Sequence, residues 1–136
     1  MSKTKWWLRI VGVFYLLLTL LNLYAIFVDS KLLEDTLPYA LDTNVVRAFT
    51  DAWMVFIFEL GVVGAVMVYA ARTPAQARLL VIAVIGMEIF RGVVADIIWI
   101  TRDYDAASYV PFIVIHLLIV ATGIYLLRRE FPQTTS

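Results

Sequence analysis

Six polar side chains interrupt otherwise apolar runs of this sequence: Asn22, Glu59, Glu88, Arg91, Asp96 and His116. Carboxyl groups beside an imidazole can hold and transfer protons. The same set, framed by apolar walls, can also hold the polar head of an amphipathic compound. Each charged group placed near the centre of a bilayer helix costs about 2.5–3.5 kcal/mol. Such groups must therefore face one another and not lipid. Three acids against one arginine leave an excess of two negative charges. A protonated His116 cancels one, and the remainder calls for a protonated carboxyl, a bound cation or a cationic ligand.

The spacings suggest how these groups pair. Glu88 and Arg91 stand three apart and can form an internal ion pair. Glu59 and His116 can hydrogen-bond between helices. On a helix, Glu88, Arg91, Gly92, Ala95, Asp96 and Trp99 share one face. Gly12, Tyr15, Thr19 and Asn22 form a second stripe, which reads as packing. From a rise of about 1.5 Å per residue, Glu59 and His116 lie about 12 Å below the outer surface, Asn22 about 10 Å and Asp96 about 9 Å. Arg91 lies about 16 Å down and Glu88 about 21 Å. Each helix thus contributes to one polar slab.

Other chemistries are excluded or unsupported. The chain has no cysteine, so it has no disulfide, thiolate metal site or redox dithiol. Its single histidine excludes bis-histidine haem. Di-iron carboxylate bundles use Glu-x-x-His, whereas here Glu88-x-x-Arg91 presents a side chain that cannot ligate. No G-x-S-x-G motif supplies a serine nucleophile. No metal site, no other cofactor and no catalytic residue is assigned, and the enzyme reading leans negative. A neutral net charge offers no basic surplus for nucleic acid.

The elements that must position these residues are long and apolar. Of 136 residues, 62% are hydrophobic and 16% charged, far from the 45–50% and about 25% usual in soluble domains. Four segments are long enough to cross a bilayer: about 6–28, 45–71, 75–100 and 108–128. The chain therefore reads as all-α: one domain over 1–136, a polytopic membrane protein built as a four-transmembrane-helix bundle. Asp42-Thr43-Asn44 reads as the cap of the second helix, with Arg47 and Asp51 placed to pair within it. Thr73, Pro74 and Gln76 read as a capping box that starts the third. Lys31 to Leu37 reads as a polar loop broken at Pro38, 101–107 as a short acidic loop, and Glu130 to Ser136 as a frayed tail. Gly61, Gly64, Ala65 and Gly123 would let helices approach closely.

Charge is sided. If all four segments cross, one side carries Lys3, Lys5, Arg9, Arg72, Arg78, Arg128 and Arg129 against Glu130 alone. The other carries Lys31, Arg47 and Arg102 against seven acids. The positive-inside rule then places both termini in the cytoplasm. Trp6, Trp7, Trp53, Trp99, Tyr104 and Tyr109 fall near span ends, as interfacial aromatics do.

The segments Trp7 to Tyr15, Asp51 to Glu59, Val84 to Gly92 through Asp96, and Val114-Ile115-His116 resemble the BphX-like family of small bacterial membrane proteins, over roughly 6–128. The resemblance implies a bacterial inner (cytoplasmic) membrane location and treats the polar set as one site. Members take their name from neighbours in aromatic-degradation gene clusters, and the resemblance supplies no reaction. The leading expectation is a cavity in the outer half of the bilayer, lined by Asn22, Glu59, Glu88, Arg91, Asp96 and His116. It would bind, or help to move, a small hydrophobic or amphipathic compound, cationic or aromatic among the candidates. The first alternative is a structural subunit whose polar cluster only fixes helix packing. The second is an intramembrane isomerase or other acid–base enzyme, similar in architecture to EXPERA-type proteins. The lipid bilayer is an expected partner, nucleic acid is not, and self-association stays open.

Overall fold

The computed structural model describes residues 2–39 and 42–131 and is all-α, with no strand among the described residues. Helix α1 spans Lys3–Phe27, α2 Lys31–Glu34, α3 Thr43–Ala70, α4 Arg78–Met87, α5 Ala95–Ile100 and α6 Ala106–Glu130. A π-helical segment, Glu88–Val94, joins α4 to α5, so that 78–100 runs as one interrupted rod. Helices α1, α3 and α6 are each long and apolar enough to cross a membrane. Their outward faces are apolar as well: Ile10, Leu17, Val62 and Leu118 are all exposed. So extensive an apolar exterior suits lipid and would be costly in water.

Local sequence explains how α3 and α6 start. Asp42 caps α3, its carboxylate accepting from the amides of Asn44 at 2.7 Å and Val45 at 2.9 Å. Asp105 does the same for α6, accepting from Ala107 at 3.2 Å and Ser108 at 3.0 Å. Hydrogen bonds led by that from the Ser108 hydroxyl hold the Asp105 carboxyl below its usual range. The expected Thr73 capping box does not form. Pro74–Gln76 instead makes a 3₁₀ turn, and α4 starts at Arg78 without a side-chain cap. The expected polar loop at 31–37 contains the short helix α2, which buries Leu33. Arg47 and Asp51 form no ion pair: among the described residues the only ionic contacts involve His116.

Helix α1 is the hub. It packs along α3 and touches α6, which in turn packs against the 78–100 rod. The α1–α3 crossing is close because both helices present glycine there. A Cβ on Gly12 would stand 2.9 Å from the Gly64 carbonyl oxygen, and one on Gly64 2.8 Å from that of Gly12. Trp7, Leu8, Val11, Met67, Val81 and Leu126 form the core of this junction.

The two ends of the chain clasp each other. Glu130, expected in a frayed tail, ends α6 and caps α1. Its carboxylate accepts from the Lys3 amide at 2.7 Å, the Thr4 amide at 3.1 Å and the Ser2 hydroxyl at 2.6 Å. An anion here meets the positive end of the α1 dipole. The rest of the expected tail, 132–136, lies outside the described residues. Partial burial raises the Glu130 pKa, but the bonds from Ser2, Thr4 and Lys3 outweigh it and hold the carboxyl at about 2, below the ordinary 4.5. A depressed folded-state pKa stabilises above the unfolded value, and the benefit fades as pH falls from about 4.5 toward about 2. Glu130→Gln should therefore lower the thermal midpoint at pH 7 and narrow the gap to the parent at pH 3. A gap that stays constant across that range would show that the carboxylate charge plays no part in the clasp.

Candidate functional site

The polar residues converge between α1, α3, α6 and the 78–100 rod. Glu88, buried at the start of the π segment, is the centre. One of its oxygens accepts a short hydrogen bond from the Tyr15 hydroxyl on α1. The other lies 2.7 Å from His116 Nδ1 on α6. The opposite ring nitrogen, Nε2, stands 3.6 Å from Asp96 Oδ2. Tyr15, Glu88, His116 and Asp96 thus form a string across three helical elements, with the imidazole between two carboxyls.

The π segment and a glycine set this geometry. Glu88, Gly92 and Asp96 are spaced four apart and all are buried. Single π turns inside α-helices concentrate at functional sites. The His116 ring lies directly on Gly92: a Cβ there would fall 2.5 Å from Cγ and 2.6 Å from Nδ1. Only a residue without a side chain lets the ring reach Glu88.

Beside the string lies a cavity of about 210 Å³. Glu88, Arg91, Asp96, His116 and Asn22 line it, together with Tyr15 and a largely aromatic wall. Arg91 does not pair with Glu88 as its spacing suggested. Its guanidinium lies over the Phe56 ring, 4.5 Å from the centroid. Asn22 donates to the Leu18 carbonyl at 2.9 Å and accepts from Trp53 Nε1 at 3.0 Å, which aims the Trp53 indole. Asp96 Oδ2 is buried and has no hydrogen-bond partner among the described residues.

Aromatic rings crowd one end of the cavity. Trp53 and Trp99 have ring centroids 6.1 Å apart, and Trp99 lies 5.5 Å from Tyr109. Tyr104 stands 6.0 Å from Trp99 and 6.1 Å from Tyr39. Burial, reinforced by Tyr39, pushes the Tyr104 hydroxyl above its usual pKa. Leu33 and Thr36, from the segment after α1, also line the cavity. Four of the six rings read from the sequence as interfacial, Trp53, Trp99, Tyr104 and Tyr109, therefore form one continuous cluster.

Glu59 is not part of this constellation. It is exposed on the far side of α3, does not line the cavity, and makes no hydrogen bond or ion pair among the described residues. His116, its expected partner, pairs with Glu88 instead. The excess negative charge of the cluster falls from two to one as a result, and a protonated His116 makes it neutral. No group of three metal-binding side chains occurs among the described residues.

The family model described as BphX-like matches residues 1–130. The chain belongs to the BphX-like family. No curated protein and no solved structure gives a significant match to it. The family match covers every residue of the string, the cavity wall and the clasp at Glu130.

Sequence reasoning passed over two contributors. Tyr15 lay in a stripe assigned to packing, yet its hydroxyl holds the central carboxyl. Its 3–4 spacing with Gly12 and Thr19 marked the right face, but only the fold shows what lies opposite. Leu33 sat in a run read as polar, although the Leu32-Leu33 pair inside it was the available signal.

Proposed function

We propose that this is a multi-pass protein of the bacterial cytoplasmic membrane, crossing four times with both termini inside. In its outer half the cavity holds a small hydrophobic or amphipathic compound that carries a hydrogen-bond donor. The 78–100 rod is the remaining crossing, third in chain order, its apolar run cut by the π segment that places Glu88 and Asp96. The sided charge, positive at the termini and the 72–78 turn, supports the orientation.

One observation carries the binding reading: among the described residues Asp96 Oδ2 is buried beside the cavity without a hydrogen-bond partner, His116 Nε2 standing too far off at 3.6 Å to donate one. A buried acceptor left unsatisfied costs about 1–3 kcal/mol, and a ligand O–H or N–H would recover much of that. A volume of about 210 Å³ exceeds the roughly 150 Å³ engineered cavity that accommodates benzene. Aromatic walls with few convergent polar groups are the usual form of a small-molecule site. A cluster that only fixed packing would leave neither the space nor the free acceptor.

Trp53 and Trp99 line the site and make binding visible. In titrations of the purified protein, benzyl alcohol and benzylamine should quench tryptophan emission saturably, and toluene more weakly. Asp96→Leu should abolish the advantage of the two donor-bearing probes. Equal quenching by all three probes, or an unchanged preference in Asp96→Leu, would sink this reading.

The Tyr15–Glu88–His116–Asp96 string supports a second reading, acid–base catalysis on the bound compound. An imidazole between two carboxyls can take a proton from one face and return it at another.

A further inference from the structure

We propose that the outer face of α3 is a homodimer seam, closed by a second copy of this chain, with Glu59 hydrogen-bonded to the partner's Glu59 through a shared proton. This rests on the membrane reading above and is independent of what the cavity binds.

The face is regular. Ala52, Val55, Glu59, Val62, Val66 and Tyr69 alternate in steps of three and four, and all are exposed. Val55 is 60% and Val62 63% exposed. That spacing is the apolar repeat of a coiled-coil seam. It extends for about 26 Å at 1.5 Å per residue, most of the roughly 30 Å hydrocarbon thickness. The buried stripe of α3, Ile57, Leu60, Gly64 and Met67, faces α1 on the other side. The two stripes divide the helix into a face used within the chain and one left open.

Glu59 selects the occupant. A carboxyl facing lipid without a partner is costly, and lipid tails offer no donor. Among the described residues, no cation on another face of the chain pairs with it. Arg91 is stacked on Phe56, and the other basic residues lie in turns or within about two turns of a helix end, away from the middle of α3. A second copy solves the problem by symmetry. Two chains inserted in the same orientation place Glu59 at the same depth, and a two-fold axis along the membrane normal brings a seam residue against its own counterpart. Two carboxyls at hydrogen-bond distance hold one proton between them, because both cannot ionise together. One then donates and the other accepts. A single polar residue in an apolar seam also fixes register and stoichiometry.

The absence of cysteine makes the seam testable by single-cysteine cross-linking of the full chain in native membranes, washed with carbonate. Under mild oxidation, Val55→Cys and Val62→Cys should form a disulfide-linked dimer. Leu117→Cys, equally apolar and exposed on α6, should stay monomeric. In the Val62→Cys background, Glu59→Ala should reduce the dimer at least several-fold, and Glu59→Gln, which can still donate and accept, should retain it. Retention in the membrane without seam cross-linking overturns the dimer alone. So does equal cross-linking at Leu117, an adduct of another mass, or indifference to Glu59→Ala. Extraction of the parent chain by carbonate overturns the membrane reading and the seam with it.

Discussion

Glu88→Ala is expected to lower the thermal midpoint of the purified protein by on the order of 10 °C, more than removal of any other single carboxyl. Glu88 serves donors from two other helices, Tyr15 on α1 and His116 on α6. Alanine removes both bonds together and leaves the buried Tyr15 phenol without its acceptor and the half-buried His116 imidazole with only its 3.6 Å contact to Asp96. Truncating one member of a buried charged set costs about 3–5 kcal/mol, because the groups left behind stay desolvated. In a chain of this size each kcal/mol corresponds to roughly 2–6 °C. Glu88→Gln keeps an acceptor oxygen and the shape, so it should recover much of the loss. Asp51→Ala, which removes an exposed carboxyl near the start of α3, should change little. Melting curves of the four proteins in one detergent decide the matter. A midpoint for Glu88→Ala within 2 °C of the parent would show that the string contributes no stability.

The contrast between Glu88 and Glu59 shows how far the sequence could be read. Position along each helix was legible, because helix rise is constant and the apolar runs have clear ends. Azimuth was not. On α3 the buried stripe is Ile57, Leu60, Gly64 and Met67, and Glu59 points about 120° away from the centre of that stripe. A run that is apolar all round does not announce which stripe meets the neighbour, since both faces are equally greasy. The glycines at 61 and 64 were the available marker, because close helix approach requires small residues. On the 78–100 rod the shared face of Glu88, Gly92 and Asp96 was legible from spacing alone. Its π turn was not, as no residue type specifies one. Arg91 was misjudged for a related reason. Its i, i+3 spacing permits a pair with Glu88, but tertiary structure gives that carboxyl two better-placed donors and gives the guanidinium an aromatic face.

Gly92→Ala should disable the site with one methyl group. The new Cβ would lie 2.5 Å from His116 Cγ and 2.8 Å from Cδ2, separations that real Cβ atoms do not show. The Gly92 backbone is held within the π segment, so the ring must give way. That ring is fixed by the 2.7 Å bond to Glu88, and a displacement of about 1 Å exceeds what a hydrogen bond tolerates. Overpacking costs about 1–3 kcal/mol, and a broken buried bond adds about 1–3 kcal/mol. Gly86→Ala is the matched control, with no atom within 4 Å of its added Cβ. It should be neutral or slightly stabilising, as alanine favours a helix over glycine. The decisive measurement is a double-mutant cycle. Once His116→Ala has removed the ring, adding Gly92→Ala should cost almost nothing, so the pair should be strongly non-additive. If the two costs simply sum, the damage at Gly92 lies in the backbone of the π segment. The ring contact would then not be what holds glycine at this position.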